Sequence, residues 1–187
     1  MKAVKVGLVG VGDISGIYLK NIHETFHEVE LVGICDLKRE KAEKAQAKYP
    51  NLKIYDTMYD IFADPEIEIV LNLTRPYEHY AVTKAALLAG KHVYSEKPLA
   101  ATYEEGKELS ELASSKGLLL GGAPDTFLSA GIQTCRRLID DGYIGQVIGC
   151  SAFMIGCGHE SWHPDPEFYY KHGGGPMLDM GPYYLTA

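Results

Sequence analysis

Gly10 and Gly12, followed by Asp13, Ile14 and Ser15, spell G-x-G-x-x-S directly after an apolar run. A glycine in the first place permits a tight turn, and one in the second lets a backbone approach a pyrophosphate at a helix N-terminus. Ser15 takes the place of the usual third glycine or alanine and is small enough to keep a helix against its strand. Asp36 closes the next apolar run, 24 positions after Gly12. A carboxylate at that point can accept hydrogen bonds from a ribose diol. Strand, turn, helix, strand and acid together indicate a dinucleotide, whereas the glycines alone would also suit a methyltransferase or a plain structural turn. Asp36 repels a ribose 2′-phosphate and so favours NAD. Lys38 and Arg39 lie just beyond it and could accommodate the extra phosphate of NADP, although such residues at a helix start are ordinarily solvated.

Three further groups could do chemistry. Lys97 ends an apolar run at the edge where doubly wound sheets bind ligands. Partial removal of its ammonium from water would ease release of a proton, so it could help move a hydroxyl proton while hydride leaves the same carbon. A plain salt bridge is the alternative. His159, Glu160 and His163 read H-E-x-x-H, which on a helix would present two imidazoles to zinc with the glutamate as base. Gly156, Gly158, Pro164 and Pro166 argue for a loop instead, and a zinc hydrolase is the remote reading. Trp162, His163, Phe168, Tyr169 and Tyr170 better suit a substrate-facing loop, aromatic faces over a polar rim matching a sugar or polyol. A packed inter-domain loop is the bland alternative. Asp179 and Tyr183 stand four apart, on one face of any continuous helix through them.

The elements that must position these groups follow from periodicity. Strand patterns at residues 3–9, 29–36, 53–55, 67–73, 92–95 and 118–120 alternate with helical patterns at 13–26, 38–49, 58–63, 77–89 and 103–115. Asp13 is placed to cap the first helix. Six strands separated by helices predict a doubly wound parallel Rossmann sheet over residues 1–123. From residue 124 the texture changes to a helix at 127–141, a strand at 147–155, a stretch rich in Gly, Pro, His and aromatics, and a helix at 178–187. Residues 124–187 therefore read as the truncated start of a second α+β domain.

Composition sets the outer bounds. The 187 residues are 46% hydrophobic and 23% charged, with a net charge of −7, an ordinary soluble balance. That acidity argues against sequence-independent nucleic-acid or anionic-membrane binding. No apolar run approaches the ~20 residues of a membrane span, and the first twelve residues lack a signal-peptide core. Cys35, Cys135, Cys150 and Cys157 are widely spaced, as reduced thiols of a cytoplasmic protein would be. Cys35 and Cys150 sit in strand-like runs and are expected to be buried, His23 and His27 exposed.

The most specific signal joins several segments. Thr74, Arg75 and Pro76 lead to His79, Gly90-Lys91-His92-Val93 is followed by Glu96-Lys97-Pro98, and a run from Gly173 to Gly181 includes Pro176 and Asp179. With the glycine turn, these resemble the Gfo/Idh/MocA family of NAD(P)-dependent oxidoreductases across essentially the whole chain. The resemblance implies a longer protein with a C-terminal domain that covers the nicotinamide and often mediates homo-oligomers. It implies that Gly10, Gly12, Asp13 and Ile14 line the pyrophosphate and Asp36 the adenosine ribose. Thr74, Pro76 and His79 would lie along the cofactor, and Glu96 and Lys97 would reach the nicotinamide ribose and the substrate. The Lys97–Pro98 peptide is often cis in the family. The implied reaction is reversible oxidation of a secondary alcohol on a sugar, cyclitol or related polyol, with Trp162, His163, Asp179 and Tyr183 at the substrate. One departure stands out, because the family has His four residues after the Asp where this chain has Tyr183. That substitution keeps open a relative that binds the dinucleotide without net redox, such as a ligand sensor or an NAD-dependent glycosidase.

Overall fold

The structure, a computed structural model, describes residues 2–153 and 155–187. The chain divides into two compact units, Met1–Ala123 and Pro124–Ala187.

In the first unit, strands β1 (Val4–Val9), β2 (Val29–Cys35), β3 (Lys53–Ile54), β4 (Ile69–Asn72), β5 (His92–Ser95) and β6 (Leu120–Gly122) form one sheet in the order β3-β2-β1-β4-β5-β6. Every pairing is parallel, so each crossover needs a helix or a long connection. Helices α1 (Ser15–Glu24), α2 (Arg39–Lys48), α3 (Met58–Ala63), α4 (His79–Leu88) and α5 (Tyr103–Ser115) provide one for each of the five crossovers. Strand side chains alternate between faces and feed two cores. Leu8, Leu31, Ile34 and Leu71 pack with Leu19 of α1 and Ala42 of α2. Val70 and Val93 pack on the other face with Phe62, Ala86 and Leu109 of α3, α4 and α5. Burial of each of these Leu, Ile, Val and Phe side chains contributes about 1.5–3 kcal/mol. The starts of α3 and α5 are set by capping boxes, Thr57 with Asp60 and Thr102 with Glu105, each satisfying two otherwise orphaned donors. Lys91 is buried, and its ammonium donates to the carbonyls of Asp64 and Ile67 at 2.7 Å each, tying the turn before β4 to the start of β5.

Two local expectations in this unit are corrected. Asp13 is not the cap of α1, which begins at Ser15 with Ile14 in the capping place and no side-chain cap. The helix expected from residue 77 opens as a 3-10 turn, Pro76–Glu78, before α4.

The second unit contains α6 (Ala130–Asp140), α7 (Pro176–Asp179) and α8 (Gly181–Thr186), with 3-10 turns at Thr126–Leu128 and Pro166–Tyr170. The strand expected at 147–155 does not form among the described residues, and residue 154 lies outside them. A strand needs a pairing partner, and the described residues of this unit supply none. Cys150 is consequently exposed, not buried, while Cys35 is buried as expected. The helix expected at 178–187 is interrupted at Met180, because Pro182 has no N–H to continue the ladder. Asp179 and Tyr183 thus belong to different short helices, and the shared-face spacing of one continuous helix does not apply. Among the described residues, no helix is long and apolar enough to cross a membrane.

Candidate functional site

Strand register brings the sequence-predicted residues of the first unit to one edge. Val9 pairs with Cys35 and with Asn72, Asn72 pairs with Ser95, and Ser95 pairs with Gly122. The next residues out, Gly10, Asp36, Leu73 and Glu96, therefore leave the sheet together at its carboxyl edge. Chain direction reverses its spread between β1 and β4, which makes that edge the crevice of a doubly wound sheet.

The two glycines do different work. Gly10 has φ +96°, and a Cβ there would lie 2.7 Å from the backbone of Leu73. Neither the dihedral nor the space admits a side chain. Around Gly12, by contrast, a Cβ would meet nothing within 4 Å. That is an open cradle above the turn, at the N-terminal end of α1, where a diphosphate can approach the backbone. Ser15 is 3% exposed and donates to the Gly12 carbonyl at 2.6 Å, holding the helix to the turn.

Asp36 braces this turn. One carboxylate oxygen accepts from the Val11 amide at 2.7 Å and the other from the Lys38 amide at 2.8 Å. Each oxygen retains a second lone pair that a ribose hydroxyl can use. Arg39 is paired with Asp56 at 2.5 Å and Glu43 at 3.2 Å, and both carboxylates raise its pKa. Its guanidinium is thereby partly neutralised by neighbours. Burial, then the Asp36 charge, raises the Cys35 thiol above its usual range, which keeps it an unreactive packing residue.

At the ends of β4 and β5 a buried polar network replaces the isolated residues of the sequence pattern. Asn72, fully buried, donates to the His79 carbonyl and the Thr83 hydroxyl at 3.0 Å each, and accepts from the Thr74 hydroxyl at 2.6 Å. His79 is 1% exposed, with Nδ1 2.6 Å from the Pro98 carbonyl and Nε2 3.0 Å from the Thr74 carbonyl. Burial lowers its pKa, opposed by those two carbonyls. Each ring nitrogen thus lies within hydrogen-bond distance of a backbone carbonyl, and the neutral ring that burial favours donates to one of the two. Pro76 opens the 3-10 turn that leads into α4.

Glu96 is 9% exposed. One oxygen accepts from the Tyr18 hydroxyl at 2.7 Å and the other from the Lys97 amide at 3.0 Å. Lys97 itself is half-buried, and the Lys97–Pro98 peptide is cis. Sequence reasoning assigned no role to Tyr18 or to Asn72. A polar residue inside a buried strand run was the available signal for Asn72.

In the second unit, His159–His163 is a turn in which the His159 carbonyl accepts from the Trp162 amide at 3.3 Å and the His163 amide at 2.9 Å. Among the described residues, no group of three His, Cys, Asp or Glu could hold a metal. The Glu160 carboxylate accepts from the Tyr170 hydroxyl, which holds it below the usual carboxylate range. His163 Nδ1 accepts from the Asp165 amide at 3.0 Å, and Trp162 is 65% exposed. His159 instead approaches Asp179, Nε2 to Oδ2 3.6 Å.

Comparison with known proteins follows the same division. The model described as "Oxidoreductase family, NAD-binding Rossmann fold" matches residues 4–122, and the Gfo/Idh/MocA C-terminal domain model matches residues 132–187. A scyllo-inositol 2-dehydrogenase (NADP(+)) of Bacillus subtilis is 30% identical over 97% of this chain and 50% of its own length. D-glucoside 3-dehydrogenase of Escherichia coli is 28% identical over 98% of this chain and 52% of its own. The chain spans about half the length of these curated relatives. The crystal structure of myo-inositol dehydrogenase from Lactobacillus casei, in complex with NAD(H) and myo-inositol, superposes with a TM-score of 0.73. It is 27% identical and covers 77% of this chain and 43% of that one. The Rossmann match alone takes in well over half of the residues, and the chain belongs to the Gfo/Idh/MocA family of oxidoreductases.

Proposed function

We propose that the protein is an NAD-dependent dehydrogenase that reversibly oxidises a secondary alcohol of a sugar, cyclitol or related polyol to the ketone. The carboxyl edge of the sheet carries this reading, with an open cradle at Gly12 beside an Asp36 that braces the turn. Those residues fit a dinucleotide. Gly10, Gly12, Asp13 and Ile14 would take its pyrophosphate and Asp36 its adenosine ribose. Thr74 and Pro76 would lie along it, with His79 acting through the Thr74 and Pro98 carbonyls that its ring engages. Asp36, together with an Arg39 already paired to two carboxylates, supports NAD over NADP.

A bound nicotinamide would supply the hydride acceptor. Lys97 would hold the substrate hydroxyl and take its proton as the carbonyl forms, with Glu96 fixing the Lys97 backbone and reaching the nicotinamide ribose. Asp179 would bind substrate hydroxyls, Tyr183 would take the place of the family's histidine, and Trp162 and His163 would contribute to the polyol surface. The names of the inositol and glucoside dehydrogenases among its relatives support that substrate class. We also propose a cytoplasmic location, in keeping with four free cysteines, and a homo-oligomer formed through the C-terminal domain, as the family resemblance implies.

Parallel fluorescence titrations of NADH and NADPH, followed by a polyol panel with the full-length protein, test this function. Saturable binding with NADH tighter, and polyol-dependent NADH formation, are expected. Absence of binding to either dinucleotide by the folded protein would end the reading. Tight NAD binding with no net turnover of any polyol would favour the non-redox relative that Tyr183 suggests.

A further inference from the structure

The H-E-x-x-H segment holds no metal site among the described residues, yet its first histidine is placed with care. The His159 side chain is 15% exposed and the Asp179 side chain 13%, with Nε2 and Oδ2 3.6 Å apart. Aromatic rings enclose the imidazole, Tyr169 at 4.2 Å, Trp162 at 4.8 Å and Phe168 edge-on at 5.9 Å between centroids. Nδ1 is buried and has no hydrogen-bond partner among the described residues.

That orphan nitrogen decides the tautomer. A buried N–H without an acceptor is rarer than an unused acceptor, and leaving a buried polar group unmade is costly either way. The proton therefore belongs on Nε2, on the side of the Asp179 carboxylate. At 3.6 Å the pair is longer than a hydrogen bond. Catalytic contacts commonly tighten only in the substrate complex. The other titratable groups facing His159 are Glu160, Tyr169 and His163.

Resting on the dehydrogenase function proposed above, we infer that His159 is a positioning residue. With its proton on Nε2 and its ring packed among aromatic side chains, it orients the Asp179 carboxylate toward substrate hydroxyls. The segment's chemistry is then that of an imidazole–carboxylate pair, with Glu160 tied to Tyr170.

Two measurements on the full-length protein test this. Long-range proton–nitrogen NMR at mildly alkaline pH should show His159 protonated at Nε2 and bare at Nδ1, and Asp179→Asn should shift both nitrogens. An Nδ1-protonated ring, or one indifferent to Asp179→Asn, overturns the inference whether or not the protein is active. In kinetics, His159→Phe should lower polyol kcat/KM by ~10–100-fold, the worth of one hydrogen bond to a charged group. His159→Gln, which keeps a donor near the Nε2 position, should recover most of that loss. In an Asp179→Asn background neither substitution should cost more than about twofold, as expected of residues acting as a unit. Equal losses in the Phe and Gln variants, additive losses with Asp179→Asn, or stoichiometric zinc would each overturn it. Should His159→Phe fail to fold, the tautomer and the Gln cycle still decide. A wild type that turns over no polyol, yet shows the expected tautomer, would sink the dehydrogenase function and leave the His159–Asp179 pairing standing.

Discussion

At Asp36 the oxygens that brace the Val11 and Lys38 amides are the ones that would meet a ribose in the proposed function. Asp36→Ala should therefore weaken NADH binding by tenfold or more, given about 1.5–3 kcal/mol per hydrogen bond to a charged group. NADPH should lose much less, and paired titrations would show the preference for NADH shrinking. An Asp36→Ala protein that keeps its preference would place NAD selection elsewhere. Lys97→Met should leave NADH affinity within about twofold while lowering kcat by ~10²–10⁴, the usual range for removing a positioned acid–base group. Steady-state kinetics with the preferred polyol distinguish this from a binding loss.

Among the elements, α1 stands out because its first turn is tied to two different parts of the sheet's carboxyl edge. Its start is held to the Gly12 turn by Ser15, and Tyr18 of the same helix donates to Glu96 at the end of β5. The helix that would meet the pyrophosphate is thus linked to the loop carrying Lys97. Tyr18→Phe, which removes only the hydroxyl, should cost roughly 1–3 kcal/mol in urea unfolding, because it strips a donor from a mostly buried carboxylate. Unchanged stability would show that water replaces the hydroxyl. Gly10→Ala should be worse than a simple turn substitution. Its Cβ would press on the Leu73 backbone, which cannot move without displacing β4. Spacing alone identified the glycine turn, because φ and close approach are local demands. The Tyr18–Glu96 bond joins residues 78 positions apart, and no local pattern announces it.

Across the whole molecule, the buried imidazole of His79 in the first unit makes stability depend on acid. His79 has a lowered pKa in the folded protein, with burial the leading cause. The unfolded chain, with an ordinary imidazole near ~6.5, binds a proton that the folded ring resists. Stability is therefore full above about pH 6.5 and declines as the pH falls from there toward the folded value. Urea midpoints measured across that range should show the decline in the wild type and a flatter profile in His79→Gln. Rising stability on acidification would mean that the Thr74 and Pro98 carbonyls hold the imidazolium after all. The chain alone already determined the alternation of strands and helices, the glycine turn and its acid, and the loop character of residues 159–163. Each rests on side-chain period or on the backbone limits of Gly and Pro. Only tertiary structure decided that β1 lies beside β4 and that Asn72, Thr74 and His79 form one network. It also decided that residues 147–153 stay unpaired and exposed and that His159 meets Asp179. Strand order and contacts between distant residues follow from how whole apolar faces pack, a long-range balance of burial and polar satisfaction that no short stretch of sequence contains.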